Sequence, residues 1–199
     1  MPATYYSGNR YLSDSEMETN ARYIYNYLCS RGWSINAVAG MLGNMETEST
    51  INPGIWESLD EGDTAQGYGL VQWTPASKYL DWCSEKGLVP SNMDSALQRI
   101  EYELENGGQY YPTASYPETF NEFKTSTKSP TYLAMAFLAN YERPAEPNQP
   151  ARGTQAEKWF EFLTGEPAPD NPTPTPTPSK KKKKLPLMYM YLATRRKIK

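Results

Sequence analysis

The chain has 199 residues and a formal net charge of −3, and it contains no histidine. The absence of histidine excludes Ser-His-Asp and Cys-His catalysis and removes the commonest metal ligand. The charge is divided, with 11 Lys/Arg and 21 Asp/Glu leaving −10 over residues 1–165, and nine Lys/Arg with no acid over 180–199; the acidic body argues against nucleic acid as a partner, and the basic end suits an anionic surface.

Residues 1–165 read as a mainly α domain of short-looped helices. Ser13 with Glu16 three residues on forms a capping box, and Met17, Ala21, Ile24 and Leu28 then recur at helical spacing up to Gly32. A second helix starts near Ser34, with Ile35, Val38, Leu42 and Met45 on one face. Glu48 follows one turn later, near that inward face and at the helix C-terminus. The region 55–73 has room for a small hairpin. Ala76 to Lys86 reads as a third helix closed by Gly87, and Met93 to Glu105 as a fourth, with Leu97, Ile100 and Leu104 inward. Pro117 to Phe123 suits a short helical turn. Thr131 to Tyr141 is apolar nearly all round and is expected to be the central buried helix. Thr154 to Leu163, closed by Gly165, is the last. Cys29 and Cys83 have no metal-ligand spacing and read as small buried residues. Residues 166–179 alternate Pro and Thr and form an extended linker. Residues 180–199 add five lysines, a nine-residue apolar stretch too short to span a bilayer as a helix, and more basic residues.

The segment Glu48-Ser49-Thr50-Ile51-Asn52-Pro53 puts a carboxyl at the end of an apolar helix, just before a turn. Apolar neighbours and the negative end of the helix both favour the protonated form, as a general acid requires. Gly67-Tyr68-Gly69-Leu70-Val71-Gln72-Trp73 adds a Gly-rich backbone, an amide and an aromatic ring. A shielded carboxylic acid beside such a groove suits cleavage of a glycosidic bond. Without the groove, Glu48 is simply a solvated residue at a helix end. Glu46, two residues away, faces elsewhere. With no histidine and no metal-ligand cluster, neither a metal nor an organic cofactor is expected, and a peptidase is disfavoured.

These runs resemble known motifs. Glu48 to Pro53 is similar to the Glu-Ser-x-x-Asn-Pro signature of goose-type lysozymes and lytic transglycosylases, and Gly67 to Gln72 to their Gly-x-Gly-Leu-x-Gln motif. Tyr141, within Ala139-Asn140-Tyr141-Glu142-Arg143-Pro144, resembles the tyrosine of their third motif. With Trp73-Thr74-Pro75, the set most resembles the phage tail lysozyme family, over about residues 10–165. The resemblance implies a lysozyme-like fold that cuts the glycan strands of peptidoglycan. Glu48 would protonate the bridging oxygen between N-acetylmuramic acid and N-acetylglucosamine. Gln72 and the backbone around Gly67 and Gly69 would hydrogen-bond the sugar, Tyr141 would orient Glu48, and Trp73 would offer a sugar platform if it is not core. The base needed for hydrolysis is sought among the loop acids Asp60, Glu61 and Asp63, with Asp60 favoured. Glu142 is a further candidate in the groove, although Glu142 and Arg143 also suit an ion pair fixing a loop.

Two alternatives stand beside a muramidase. Glu48 acting alone as acid and then base gives 1,6-anhydro products, as in a lytic transglycosylase. A non-catalytic glycan-binding or structural tail module keeps the groove without the chemistry. The resemblance also implies a phage setting, in a virion tail or as a free endolysin, acting on the bacterial cell wall. Met1 to Tyr6 lacks the pattern of a signal peptide, so delivery would not be by ordinary secretion. The basic tail has three readings: binding to an anionic cell-surface polymer or membrane surface, docking to other phage tail proteins, or a solubilising end.

Overall fold

A computed structural model describes residues 4–166; the basic tail and all but the first residue of the Pro/Thr linker lie outside the described residues. The architecture is mainly α. Among the described residues seven α-helices follow in order: α1 (Asp14–Cys29), α2 (Ile35–Ser49), α3 (Ser77–Lys86), α4 (Met93–Asn106), α5 (Phe120–Thr125), α6 (Pro130–Phe137) and α7 (Ala151–Thr164). Among the described residues no helix is long and apolar enough to cross a membrane.

Local chemistry sets the helix starts. Glu16 accepts from the Ser13 N–H at 2.9 Å at the head of α1, and Ser34 Oγ accepts from Ala37 N–H at 3.0 Å at the head of α2. The α1 residues Met17, Ala21, Ile24 and Leu28 are all buried.

The centre of the domain is α2, not α6 as apolar content suggested. Helix α2 packs against α1, α5, α6 and α7, and its residues Asn36 to Met45 are all buried. Two glycines make this possible. A Cβ at Gly40 would stand 2.9 Å from the α6 backbone at Leu133 and Ala134, and one at Gly43 would stand 2.4 Å from the carbonyl oxygen of Arg152 on α7. Helix α2 can therefore be approached closely from two sides, which a merely apolar surface does not permit. Between these contacts, buried Asn44 donates to the carbonyls of Gly40 and Ala134, both at 3.0 Å.

The end of α2 is fixed by polar side chains. Thr50 and Ile51 both adopt left-handed backbone conformations, with φ of 52° and 55°, each costing on the order of 1–3 kcal/mol. Ser49 Oγ donates to Met45 and Leu70 carbonyls at 3.0 and 2.8 Å. Asn52, fully buried, donates to the carbonyls of Gly8 and Arg10 at 2.7 and 2.6 Å and accepts from Gly54 N–H at 2.9 Å. It thereby straps the N-terminal segment across the helix end.

The hairpin region contains two isolated antiparallel bridges, Trp56 with Tyr68 and Tyr68 with Trp73. Positive φ at Ser58, Leu59, Gly69 and Gln72 prevents a continuous ladder. Helix α6 runs into a π turn over Leu138–Glu142, closed by Arg143 N–H on the Leu138 carbonyl at 2.8 Å. Cys29 and Cys83 are free thiols.

Candidate active site

Glu48 lies in the last turn of α2 and opens onto a groove of about 590 Å³. Its neighbours there include Tyr11, Trp56, Glu57, Gln72, Glu142 and Pro144. Arg152, on the first turn of α7, donates from Nη2 to Glu48 Oε1 at 2.6 Å. The rest of that guanidinium is anchored: Nη1 reaches Asn44 Oδ1 at 3.2 Å and Nε reaches Gln149 Oε1 at 2.7 Å. The Arg152 side chain is only 5% exposed, against 23% for Glu48. Asn44, Arg152 and Glu48 thus form a chain of polar contacts from the domain centre to the groove. Glu48 Oε2 accepts no protein hydrogen bond among the described residues.

Glu142 enters the same groove from the end of the π turn. Its Oε1 is sealed from water and accepts no hydrogen bond. Burial, reinforced by the charge on Glu48, pushes this carboxyl well above the usual carboxylate range despite Arg152 and Arg143 nearby. Burial and the neighbouring charge thus favour the protonated form of Glu142. The π turn sets this placement, because one extra residue in the turn sends Asn140 and Tyr141 inward and brings Glu142 to the groove wall.

A second buried carboxyl lies behind this wall. Glu103 on α4 accepts from Trp73 Nε1 at 3.1 Å and from Arg99 Nε at 2.8 Å, and Tyr141 donates its hydroxyl to the other oxygen. Burial raises the Glu103 pKa, and those three donors oppose the shift. Among the described residues no group of three or more Cys, Asp or Glu could hold a metal ion.

A sequence model of phage tail lysozymes matches residues 19–163, nearly the whole of this helical body. The chain belongs to the phage tail lysozyme family. It is also 61% identical over 162 residues to a curated relative, "Morphogenesis protein 1" of Bacillus phage B103. That match covers 81% of this chain and 44% of the relative, so the chain spans less than half the length of the relative. Membership supports a lysozyme-like, phage-associated role.

Within this phage tail lysozyme domain the three motifs have separate fates. Glu48 and Gln72 share the groove with Glu142. Gln72, at φ 47°, donates from its amide to the Gly69 carbonyl at 3.0 Å, and its Oε1 has no protein partner. The backbone N–H groups of Gly67 and Gly69 are taken up inside the loop, on Glu57 Oε2 at 2.7 Å and on the Ile55 carbonyl at 2.9 Å. Tyr141 is fully buried and gives its hydroxyl to Glu103, not to Glu48. Trp73 is 4% exposed and stacks on Tyr79 at 4.3 Å; the aromatic rings lining the groove are Tyr11 and Trp56. Asp60 and Glu61 are exposed on the loop and outside the groove lining, to which the loop contributes Glu57 instead. Glu46 accepts from Trp159 Nε1 at 2.7 Å and so fastens α2 to α7. Arg143 fixes the loop through the Gln109 and Asn140 carbonyls, not through an ion pair with Glu142.

Arg152 and Glu103 did not emerge from the sequence. The signal existed. Arg152 stands four residues before buried Ala156, and Glu103 three after buried Ile100, so each is a charge at an inward helical position. Starting α7 at Thr154 placed Arg152 outside the helix and hid the first of these.

Proposed function

We propose that this domain cleaves the glycan strands of peptidoglycan at the bond between N-acetylmuramic acid and N-acetylglucosamine, with Glu48 delivering the proton to the bridging oxygen. The observation that carries the reading is the meeting of two carboxyls, Glu48 and Glu142, in one groove, with Glu48 anchored by Arg152. Repulsion between two carboxyls in one groove favours a proton held between them, and that proton is the one Glu48 passes to the leaving oxygen. Arg152 fixes the Glu48 carboxyl in place, so that protonation of the leaving oxygen needs little reorganisation. Tyr11 and Trp56 supply aromatic faces for sugar rings, and Gln72 an amide. If water attacks, Glu57 on the groove wall is the candidate base, in the role first sought at Asp60. If the 6-hydroxyl of the muramoyl residue attacks instead, the same Glu48 takes that proton and a 1,6-anhydro product leaves. The cell-wall substrate fits a virion tail or a free lysin equally well.

The name of the relative, "Morphogenesis protein 1", favours a second reading: a structural tail module that binds glycan without cutting it. Mass spectrometry of fragments released from purified Gram-positive walls separates these readings, with wild type beside Glu48→Gln. Reducing muramic ends, lost roughly 10²–10⁴-fold in the variant, support hydrolysis. Anhydro ends support transglycosylation. No soluble fragments from the wild type leaves the structural module.

A further inference from the structure

A second cavity, of about 270 Å³, lies beside the groove and shares Gln72, Thr74 and Glu142 with it. Three cations line it: Lys78, Arg99 and Arg143. Arg99 is compensated, since its Nε meets Glu103 Oε1 at 2.8 Å. Neither Lys78 nor Arg143 has a carboxylate within 4.0 Å among the described residues. Lys78 Nζ gives one hydrogen bond, to the Thr74 carbonyl at 3.0 Å, and an ammonium has two more to give. Arg143 bonds through Nη1 alone, and its guanidinium rests over the Tyr111 ring at 4.7 Å. Its backbone is left-handed, with φ of 50°, a conformation costing on the order of 1–3 kcal/mol for a residue other than glycine. Two cations with spare donors are therefore held next to the groove.

We propose that this cavity is a subsite for a carboxylate of the peptide borne by the muramoyl sugar, bound by Lys78 and Arg143. The inference rests on the glycan-cutting reading above. Alternate sugars of peptidoglycan carry a short peptide with free carboxylates, so an anion travels with the sugar that occupies the groove. The shared wall makes the two sites contiguous. A guanidinium and an ammonium match a carboxylate in charge and donors. Burial favours the protonated form of Glu142 on that wall, which lessens its repulsion of the anion.

The test is calorimetric titration of the full chain carrying Glu48→Gln, which blocks turnover. The ligands are a soluble disaccharide-peptide fragment with its carboxylates free and the same fragment with them amidated. The free form is expected to bind about tenfold more tightly, as one charge-assisted contact gives. That ratio should fall towards one when Lys78→Met or Arg143→Gln is added. Equal binding of the two fragments, no binding of either, or a ratio that both substitutions leave intact overturns the proposal. So does displacement of the free fragment by inorganic phosphate at comparable concentration, which assigns the cavity to phosphate. Wall cleavage by the unmutated chain is scored separately. An absence of cleavage with the carboxylate preference intact sinks the glycosidase reading and leaves the subsite standing.

Discussion

Gly43→Ala should loosen the joint that holds the groove together. The new Cβ would stand 2.4 Å from the Arg152 carbonyl oxygen and 2.8 Å from Ala156 N. Both are backbone atoms of α7, so no side chain can swing aside. Ordinary contact begins near 3.4 Å, so α7 must retreat by about 1 Å at this point. Overpacking of this kind costs up to about 3 kcal/mol, and the better helix propensity of alanine returns about 1 kcal/mol. The net loss is about 2 kcal/mol, or roughly 4–8 °C in Tm for a domain of this size. Gly153→Ala is the control. It brings the same gain in propensity, but its closest neighbour, at 2.8 Å, is the methyl group of Thr131, which can yield, and its Tm should change by less than half as much. Thermal unfolding followed by circular dichroism compares the two. Equal Tm values for both variants would refute the argument that backbone contact at Gly43 sets the α2–α7 distance. Because Arg152 moves with α7, Gly43→Ala should also weaken turnover more than binding.

Arg152→Met removes a buried guanidinium that is bonded to Glu48, Asn44 and Gln149, and denaturant titration should show a loss of about 2–4 kcal/mol together with slower wall cleavage. Glu142→Gln should change the pH dependence of stability. The native carboxyl holds its proton more tightly than the unfolded one, so Glu142 lowers stability as pH rises above the ordinary carboxylate value of about 4.3. Unfolding titrations at pH 4 and pH 8 should find the variant gaining on wild type at the higher pH; a constant difference would mean that Glu142 ionises normally. Asn52→Ala strips hydrogen bonds from the Gly8, Arg10 and Gly54 backbone, and should cost about 2–4 kcal/mol and release the N-terminal strap to proteolysis. Tyr11→Ala, at a side chain 61% exposed on the groove rim, should leave Tm within about 1 °C while raising KM for wall substrate, because a stacked sugar ring gains on the order of 1 kcal/mol.

Much was legible in the chain alone because it rests on local physics. Helical periodicity and capping residues placed α1, α2 and α4 to within a residue or two, since those patterns act over one or two turns. The carboxyl at the end of α2 and the Gly-rich loop pointed to a groove before any contact was known. Tertiary packing decided the rest. Two glycines, rather than apolar content, put α2 at the centre. The π turn sent Tyr141 to Glu103 and carried Glu142 to the groove, and sequence periodicity of 3.6 could not register that extra residue. Loop acids look alike in sequence, and only the folded loop chose Glu57 over Asp60 and Glu61 for the groove wall. The pairing of Glu48 with Arg152 joins residues 104 positions apart. Its existence depends on how closely α7 approaches α2, which no local pattern encodes.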